Sequence, residues 1–309
     1  MYIMSLTKNG KRKTRKKMKA GLFAGGAGWG AWTVGVHTTL RKPYDVFIGT
    51  STGAIIALFL ALGRIDSIFY DLLVYEYSNI TNRQMYGLLS PYNRRGKISK
   101  PKVIAAIVRM MYKERNHIYD IGEELYKRLS KRFTYNHFLE LRRQKIDVIV
   151  TVNCVSLKNE PTQYVSVLDP SMTYERFKLS VVASASIPYA AKPVVWNNLS
   201  HLDGGVFDTA PTGLINKYQD PDIWLMHSLQ SEQKSYREVD GWLKLAGALF
   251  SGMRAEIKRD DLKGVRGADV YYAPVFNWSA ADFNPKNMRA ALQRGIEDAK
   301  SNNITKVRL

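Results

Sequence analysis

Short apolar runs alternate with longer amphipathic stretches over most of this sequence. The short runs are rich in β-branched and aromatic residues, which favour strands, and the longer stretches carry apolar side chains at helical spacing. This alternation is typical of the α/β class of proteins. The predicted strands comprise residues 20–24, 44–48, 146–154, 163–167, 223–227 and 270–273.

Four stretches predict helices. The first covers residues 51–62, and a second begins near Ser99, which is a good N-terminal cap. A third begins at Asp120, where Glu123 completes a capping-box pattern. The last begins at residue 284, and its apolar stripe is formed by Met288, Leu292, Ile296 and Ala299.

The composition indicates a folded domain with a large core. Of the 309 residues, 45% are apolar, and no repeat or linker divides the chain. The single cysteine, Cys154, excludes a disulfide scaffold and any multi-cysteine metal site. The longest apolar run, residues 54–62, is far shorter than the roughly 20 residues that cross a bilayer, so we expect no transmembrane helix.

Much of the formal charge of +19 lies near the N-terminus, and the rest of the chain is basic as well. Residues 8–19 carry eight basic side chains, and no acidic residue precedes Asp45. We therefore predict a flexible basic arm over residues 1–19 and a folded domain over residues 20–309. The arm suits nucleic acid or anionic lipid headgroups as a partner, and a plain solubilising tail is the alternative.

The basic stretch is followed by apolar, glycine-rich residues 20–36, an order that also occurs in secretory signals. Glycines and tryptophans interrupt this segment, so we expect no signal peptide. The predicted location is cytoplasmic or peripheral at a membrane surface.

The first segment with candidate chemistry is Gly49-Thr50-Ser51-Thr52-Gly53, between a predicted strand and a predicted helix. Gly-x-Ser-x-Gly in this context is typical of a nucleophile elbow, a sharp turn that presents the serine hydroxyl to a substrate. The following helix places its positive end beneath that hydroxyl and favours developing negative charge. Ser51 is therefore the candidate nucleophile.

A glycine-rich turn, Gly25-Gly26-Ala27-Gly28, follows the first predicted strand, and Gly30 comes shortly after it. The spacing fits a dinucleotide-binding loop poorly, and the Gly-Lys-Ser/Thr ending of a P-loop is absent. Backbone N–H groups of such a turn can instead stabilise the oxyanion that forms during acyl transfer.

The third segment is Asp203-Gly204-Gly205. Taken alone, this pattern is typical of an ordinary turn. A serine hydroxyl is a weak nucleophile that needs a base to accept its proton, so Asp203 is the candidate base in the company of the other two segments.

The three segments, in this order, resemble the patatin-like phospholipase family, which combines a glycine-rich oxyanion loop, a Gly-x-Ser-x-Gly turn and an Asp-Gly-Gly or Asp-Gly-Ala motif. Residues 30–40 look like the first helix of that family, and residues 183–194 look like the segment ahead of its aspartate motif. Residues 284–299 look like its closing helix. The resemblance extends from about residue 20 to about residue 300.

The resemblance implies a three-layer α/β/α fold with a central, mostly parallel sheet. It implies a catalytic dyad in which Ser51 is the nucleophile and Asp203 the proton acceptor, with residues 25–28 as the oxyanion loop. It implies an acyl hydrolase that acts on phospholipid or a related lipid ester, without cofactor or metal. The positive charge favours action at an anionic membrane surface.

Two residues depart from the family pattern. Ala27 stands where the family usually has glycine, and Trp29 stands where it usually has arginine or lysine. These departures leave open an alternative in which the fold is kept but catalysis is lost, and the basic arm binds nucleic acid or another anionic partner. A Ser–Asp–His triad through His227 is a further alternative, because an ordinary hydrolase triad follows that order along the chain.

Overall fold

The computed structural model describes residues 18–65, 121–155, 161–186, 191–218, 220–226, 262–278 and 285–309. The predicted arm up to residue 17, the helix predicted near Ser99, and His227 lie outside these ranges. Lys19, at the end of the predicted arm, already belongs to the fold, because its carbonyl oxygen accepts hydrogen bonds from the amides of Asp45 and Val46.

The described ranges contain nine strands and six α-helices. The strands are β1 (Ala20–Phe23), β2 (Val46–Thr50), β3 (Asp147–Cys154), β4 (Thr162–Ser166), β5 (Val194–Trp196), β6 (Leu199–Asp203), β7 (Asp222–Leu225), β8 (Asp269–Tyr272) and β9 (Thr305–Arg308). The helices are α1 (Gly30–Leu40), α2 (Thr52–Ala61), α3 (Ile121–Arg132), α4 (Tyr135–Gln144), α5 (Tyr174–Ser184) and α6 (Pro285–Lys300). Three short 3-10 helices comprise Ala27–Trp29, Gly204–Val206 and Thr212–Lys217.

All nine strands belong to one mixed sheet, in which hydrogen-bonded neighbours follow the path β5-β6-β3-β2-β1-β7-β8-β9 and β4 also pairs with β3. Strands β6 and β2 share one edge of β3, and β4 occupies the other. The five adjacent strands β3, β2, β1, β7 and β8 are mutually parallel. Strands β4, β6 and β9 pair antiparallel at the flanks. Since parallel neighbours align their carboxyl ends, the segments after β1 and β2 emerge at the same edge of the sheet.

Hydrophobic side chains cover both faces of the sheet. Within β1, Phe23 packs into a large cluster with residues of α1, α2 and α5, such as Ile55 and Phe177. Its neighbour Leu22 points to the other face, in a smaller cluster with Ile215 of the 3-10 helix Thr212–Lys217. The fold is the three-layer α/β/α arrangement that the sequence predicts.

The C-terminal helix α6 lies closely against α1. A side chain at Gly35 would meet the backbone of Leu292, and one at Gly295 would meet the backbone of Trp32. The Trp32 indole N–H donates to Asp298 Oδ2 at 2.9 Å in the buried contact. The family-like first and closing helices therefore pack together. In the described ranges, no helix has the length and apolar character needed to cross a bilayer.

One buried histidine has an unusual environment. His37 of α1 is fully buried, with its ring 4.4 Å from that of Trp224, and neither ring nitrogen has a hydrogen-bond partner among the described residues. Burial, and then the charge of Lys42, lowers the pKa of His37 from 6.5 to about 3. The ring is therefore neutral in the folded protein over the range in which an unfolded histidine becomes charged.

We predict that burial of His37 makes the folded protein less stable as the pH falls. Between pH 6.5 and about 3 the unfolded chain binds the extra proton, so the free energy of unfolding decreases as pH falls through this window. The slope of the unfolding free energy that is due to His37 approaches about 1.4 kcal/mol per pH unit well below the pKa of the histidine in the unfolded chain. In denaturant unfolding from pH 7 to pH 4, His37→Phe, which keeps a ring against Trp224, should show a shallower loss than wild type. Parallel stability curves would contradict this account.

Candidate active site

The position of the site follows from how β3 is paired. Strand β4 pairs with both Thr151 and Val152 along one edge of β3. On the opposite edge, β2 pairs as far as Thr50 with Thr151, and β6 begins its pairing at Asp203 with Val152. Because β2 is parallel to β3 and β6 is antiparallel to it, their carboxyl ends meet head to head. Residues far apart in sequence are thereby brought together at this junction.

The two candidate catalytic side chains are in direct contact at that junction. Ser51 Oγ donates a hydrogen bond to Asp203 Oδ2 at 2.7 Å, and the residues are only 6% and 2% exposed. The other carboxylate oxygen, Oδ1, accepts from the Gly205 amide at 2.7 Å. One oxygen of Asp203 is thus anchored to backbone while the other faces the serine hydroxyl.

Ser51 occupies the tight turn between β2 and α2 with φ 57° and ψ −129°. A positive φ of this kind is disfavoured for serine, so the turn is strained. The flanking glycines allow it, because a Cβ on Gly49 would collide with Gly53, and one on Gly53 would collide with the carbonyl oxygen of Phe23. Ser51 also sits at the N-terminus of α2, where the helix dipole favours negative charge.

The glycine-rich segment after β1 lies beside this turn. A Cβ built on Gly25 would be 3.2 Å from the Cβ of Ser51, and Gly30 packs against Thr52. The Gly25 amide donates to the Thr209 carbonyl at 3.1 Å and is therefore already used. Gly26, Ala27 and Gly28 continue the loop, which ends in the short 3-10 helix Ala27–Trp29.

Ala27 and Trp29, the two residues that depart from the family pattern, differ in what the structure shows for them: a backbone conformation for the first and side-chain contacts for the second. Ala27 adopts φ 46°, the left-handed conformation that a glycine would enter without strain. The Trp29 indole N–H donates to the Trp278 carbonyl at 3.2 Å, and its ring stacks on Phe276 with 6.0 Å between centroids. Trp29 thus joins an aromatic cluster next to the loop.

Two further polar residues of this site were not singled out from the sequence. Asn153 of β3 donates from Nδ2 to the carbonyl oxygens of Asp203 and Gly204, at 2.8 and 2.9 Å. Ser184, the last residue of α5, accepts a hydrogen bond from the Ser51 amide at 2.9 Å. Asn153 lies between Val152 and Cys154 near the end of a largely apolar strand, which is a detectable signal, but nothing local distinguishes Ser184 from the neighbouring serines.

The histidines of the described residues are engaged away from the Ser51–Asp203 pair. His201 stacks on Trp196, and burial lowers its pKa, while His137 caps α4 through the Thr134 amide. His37 packs against Trp224. In the same part of the chain, no group of three or more His, Cys, Asp or Glu residues is arranged to hold a metal ion.

Comparison with known proteins places the chain in a family. The family model for patatin-like phospholipase matches residues 22–215, a segment that begins within β1 and contains the Ser51 turn and Asp203. A similar protein is the probable lipid hydrolase 463L of Invertebrate iridescent virus 6, which is 25% identical over 248 residues, covering 78% of this chain and 74% of that protein. Since the family model spans more than half of the sequence, this chain belongs to the patatin-like phospholipase family.

Proposed function

We propose that this protein is a serine acyl hydrolase that releases fatty acid from phospholipid or a related lipid ester. The observation that carries the proposal is the buried 2.7 Å hydrogen bond from Ser51 Oγ to Asp203 Oδ2, made at a strained turn ahead of a helix. A nucleophile and a base within direct hydrogen-bond reach are the geometry that covalent acyl transfer requires. In this proposal the turn at Ser51 is a nucleophile elbow.

In the first half of the reaction, Ser51 Oγ attacks the ester carbonyl carbon while its proton passes to Asp203 Oδ2. The tetrahedral intermediate then collapses, the C–O bond to the alcohol breaks, and the leaving oxygen takes the proton from Asp203. The fatty acyl group remains on Ser51 as an ester. Because Oδ1 is held by the Gly205 amide, Oδ2 stays directed at the reacting atoms.

In the second half, a water molecule attacks the acyl-serine and gives its proton to Asp203. Collapse of this second intermediate releases the fatty acid and returns the proton to Ser51 Oγ. No imidazole is needed, since the carboxylate contacts the hydroxyl directly. This arrangement favours the dyad over a triad that would place a histidine between the two side chains.

The oxyanion of both intermediates needs backbone donors beside Ser51. Gly25 lies next to the serine, but its amide is bonded to Thr209. We therefore assign the donor role to the amides that follow it in the same loop, those of Gly26, Ala27 and Gly28. Ala27 already has the left-handed backbone conformation of a glycine, so its presence is compatible with a working loop.

The substrate class rests on the family and on charge. Patatin-like phospholipases are named for phospholipid cleavage, and the viral relative is named a probable lipid hydrolase. A net charge of +19 attracts the protein to anionic surfaces, which raises its concentration where such lipids are found. We propose that it acts peripherally at an anionic membrane and that the basic residues 8–19 contribute to this attraction.

Replacement of either member of the pair should abolish most hydrolysis. Fatty-acid release from phosphatidylglycerol vesicles should fall by more than about 10³-fold in Ser51→Ala. In Asp203→Asn it should fall by about 10²–10⁴-fold, because the amide cannot accept the proton. Wild type, but not Ser51→Ala, should be labelled by a fluorophosphonate probe.

Two matched variants serve as controls for this experiment. Asp208 lies five residues after Asp203, and its carboxylate accepts a hydrogen bond from the Tyr164 hydroxyl instead of the Ser51 hydroxyl. The variant Asp208→Asn should therefore retain most activity. His227→Gln should also retain activity if the base is Asp203. Equal release by wild type, Ser51→Ala and Asp203→Asn would overturn the assignment, and loss of activity in His227→Gln as well as in these two variants would favour the triad.

We predict that Ala27→Gly stabilises the protein without loss of activity. Glycine enters the φ 46° conformation without a Cβ clash, and relief of that strain should outweigh the added freedom of the unfolded chain by about 0.5–1 kcal/mol. Ala31→Gly, in the regular helix α1, should instead lower stability. Chemical denaturation of the three proteins measures both effects, and destabilisation by Ala27→Gly would contradict the conformational argument.

A further inference from the structure

Two buried side chains outside the three motifs hold the backbone on either side of the reacting pair. We propose that Ser184 and Asn153 are positioning residues that set the contact between Ser51 and Asp203, an inference that rests on the proposed function. Neither residue touches the reacting oxygens, so each would act through the backbone that carries them.

Ser184 supports the serine side of the contact. Its hydroxyl accepts a hydrogen bond from the Ser51 amide at 2.9 Å, and it is fully buried at the C-terminus of α5. The Ser51 backbone has a positive φ that serine disfavours, and it persists only when surrounding contacts determine it. In the same turn, the Ala54 amide bonds the Ser51 carbonyl. The strained residue is therefore held at both its N–H and its C=O group.

Asn153 supports the aspartate side. Its Nδ2 donates to the carbonyl oxygens of Asp203 and Gly204, and its Oδ1 accepts from the Thr162 hydroxyl at 2.9 Å. The side chain is fully buried in β3, so these bonds do not compete with water. They hold the chain at the point where β6 ends and turns away from β3.

The geometry makes these contacts relevant to rate as well as stability. Two strand ends that meet head to head have no covalent link to keep them at a set separation. A displacement of about 1 Å between reacting groups can lower a rate by about 10²-fold. Loss of the Ser184 or the Asn153 bonds allows such a displacement while the net charge that attracts the protein to vesicles stays nearly unchanged.

The Ser184 test compares two serines of the same helix. Ser184→Ala removes the bond to Ser51, whereas Ser180→Ala removes an equally buried hydroxyl whose bond, among the described residues, is to the Phe177 carbonyl within α5. We expect Ser184→Ala to lower kcat and the rate of fluorophosphonate labelling by about 10–100-fold, with KM for vesicles within about threefold of wild type. Ser180→Ala should change both rates by less than about threefold, even where the two variants lose similar stability.

The Asn153 test uses the same measurements. Asn153→Asp keeps the side-chain shape and the acceptor for Thr162 but removes both N–H donors, and it should lower kcat and labelling by a similar factor. Thr162→Val leaves both donor bonds of Asn153 in place and should have a small effect. Thermal unfolding of each variant separates lost positioning from lost folding.

Amide hydrogen exchange at Ser51 gives a readout that does not depend on activity. Exchange should be faster in Ser184→Ala than in Ser180→Ala. The inference is overturned if wild type labels but Ser184→Ala and Asn153→Asp label as fast as their controls. If wild type is neither labelled nor able to hydrolyse lipid, both the proposed function and the positioning inference fail. Faster exchange in Ser184→Ala would then show that the hydrogen bond to Ser51 is purely structural.

Discussion

The candidate site depends on the division of one strand edge between two neighbours. Strand β3 is longer than β2, and β6 pairs with the part of β3 that β2 leaves open. The ends of β2 and β6 therefore face each other, and Ser51 meets Asp203 although 152 residues separate them. The proposed chemistry requires this junction, because the contact between the two side chains forms there.

The junction combines backbone strain with extensive hydrogen bonding. Ser51 has a positive φ, and the glycines on either side of it allow backbone segments to approach more closely than any side chain would permit. Asp203 is nearly inaccessible to water, and its two carboxylate oxygens have the Ser51 hydroxyl and the Gly205 amide as donors. Burial of a polar group is costly unless the group is hydrogen-bonded, so the same contacts that stabilise the turn also orient the two candidate catalytic side chains.

The central strands and some of the helices were predictable because their signals are local. Strands β1, β2, β3, β7 and β8 are apolar and buried, and α2 and α6 follow clear patterns. The prediction ended β2 at residue 48, but pairing with β1 and β3 extends it to Thr50 despite the weak strand propensity of Gly49. Strands β5, β6 and β9 were not predicted, since they are short, polar or exposed. Strands β6 and β9 pair with strands distant in sequence, and β5 pairs with its neighbour β6.

The sequence by itself determined the α/β class and the residue types of the candidate site, because a glycine-flanked serine and an aspartate with two glycines carry local chemical constraints. Only the tertiary structure decided that their side chains are in contact, that the Gly25 amide is bonded to Thr209, and that Asn153 and Ser184 hold the two turns. The physical reason is that each of these contacts joins segments distant along the chain. Their distances follow from strand register and helix packing, which local sequence patterns do not encode.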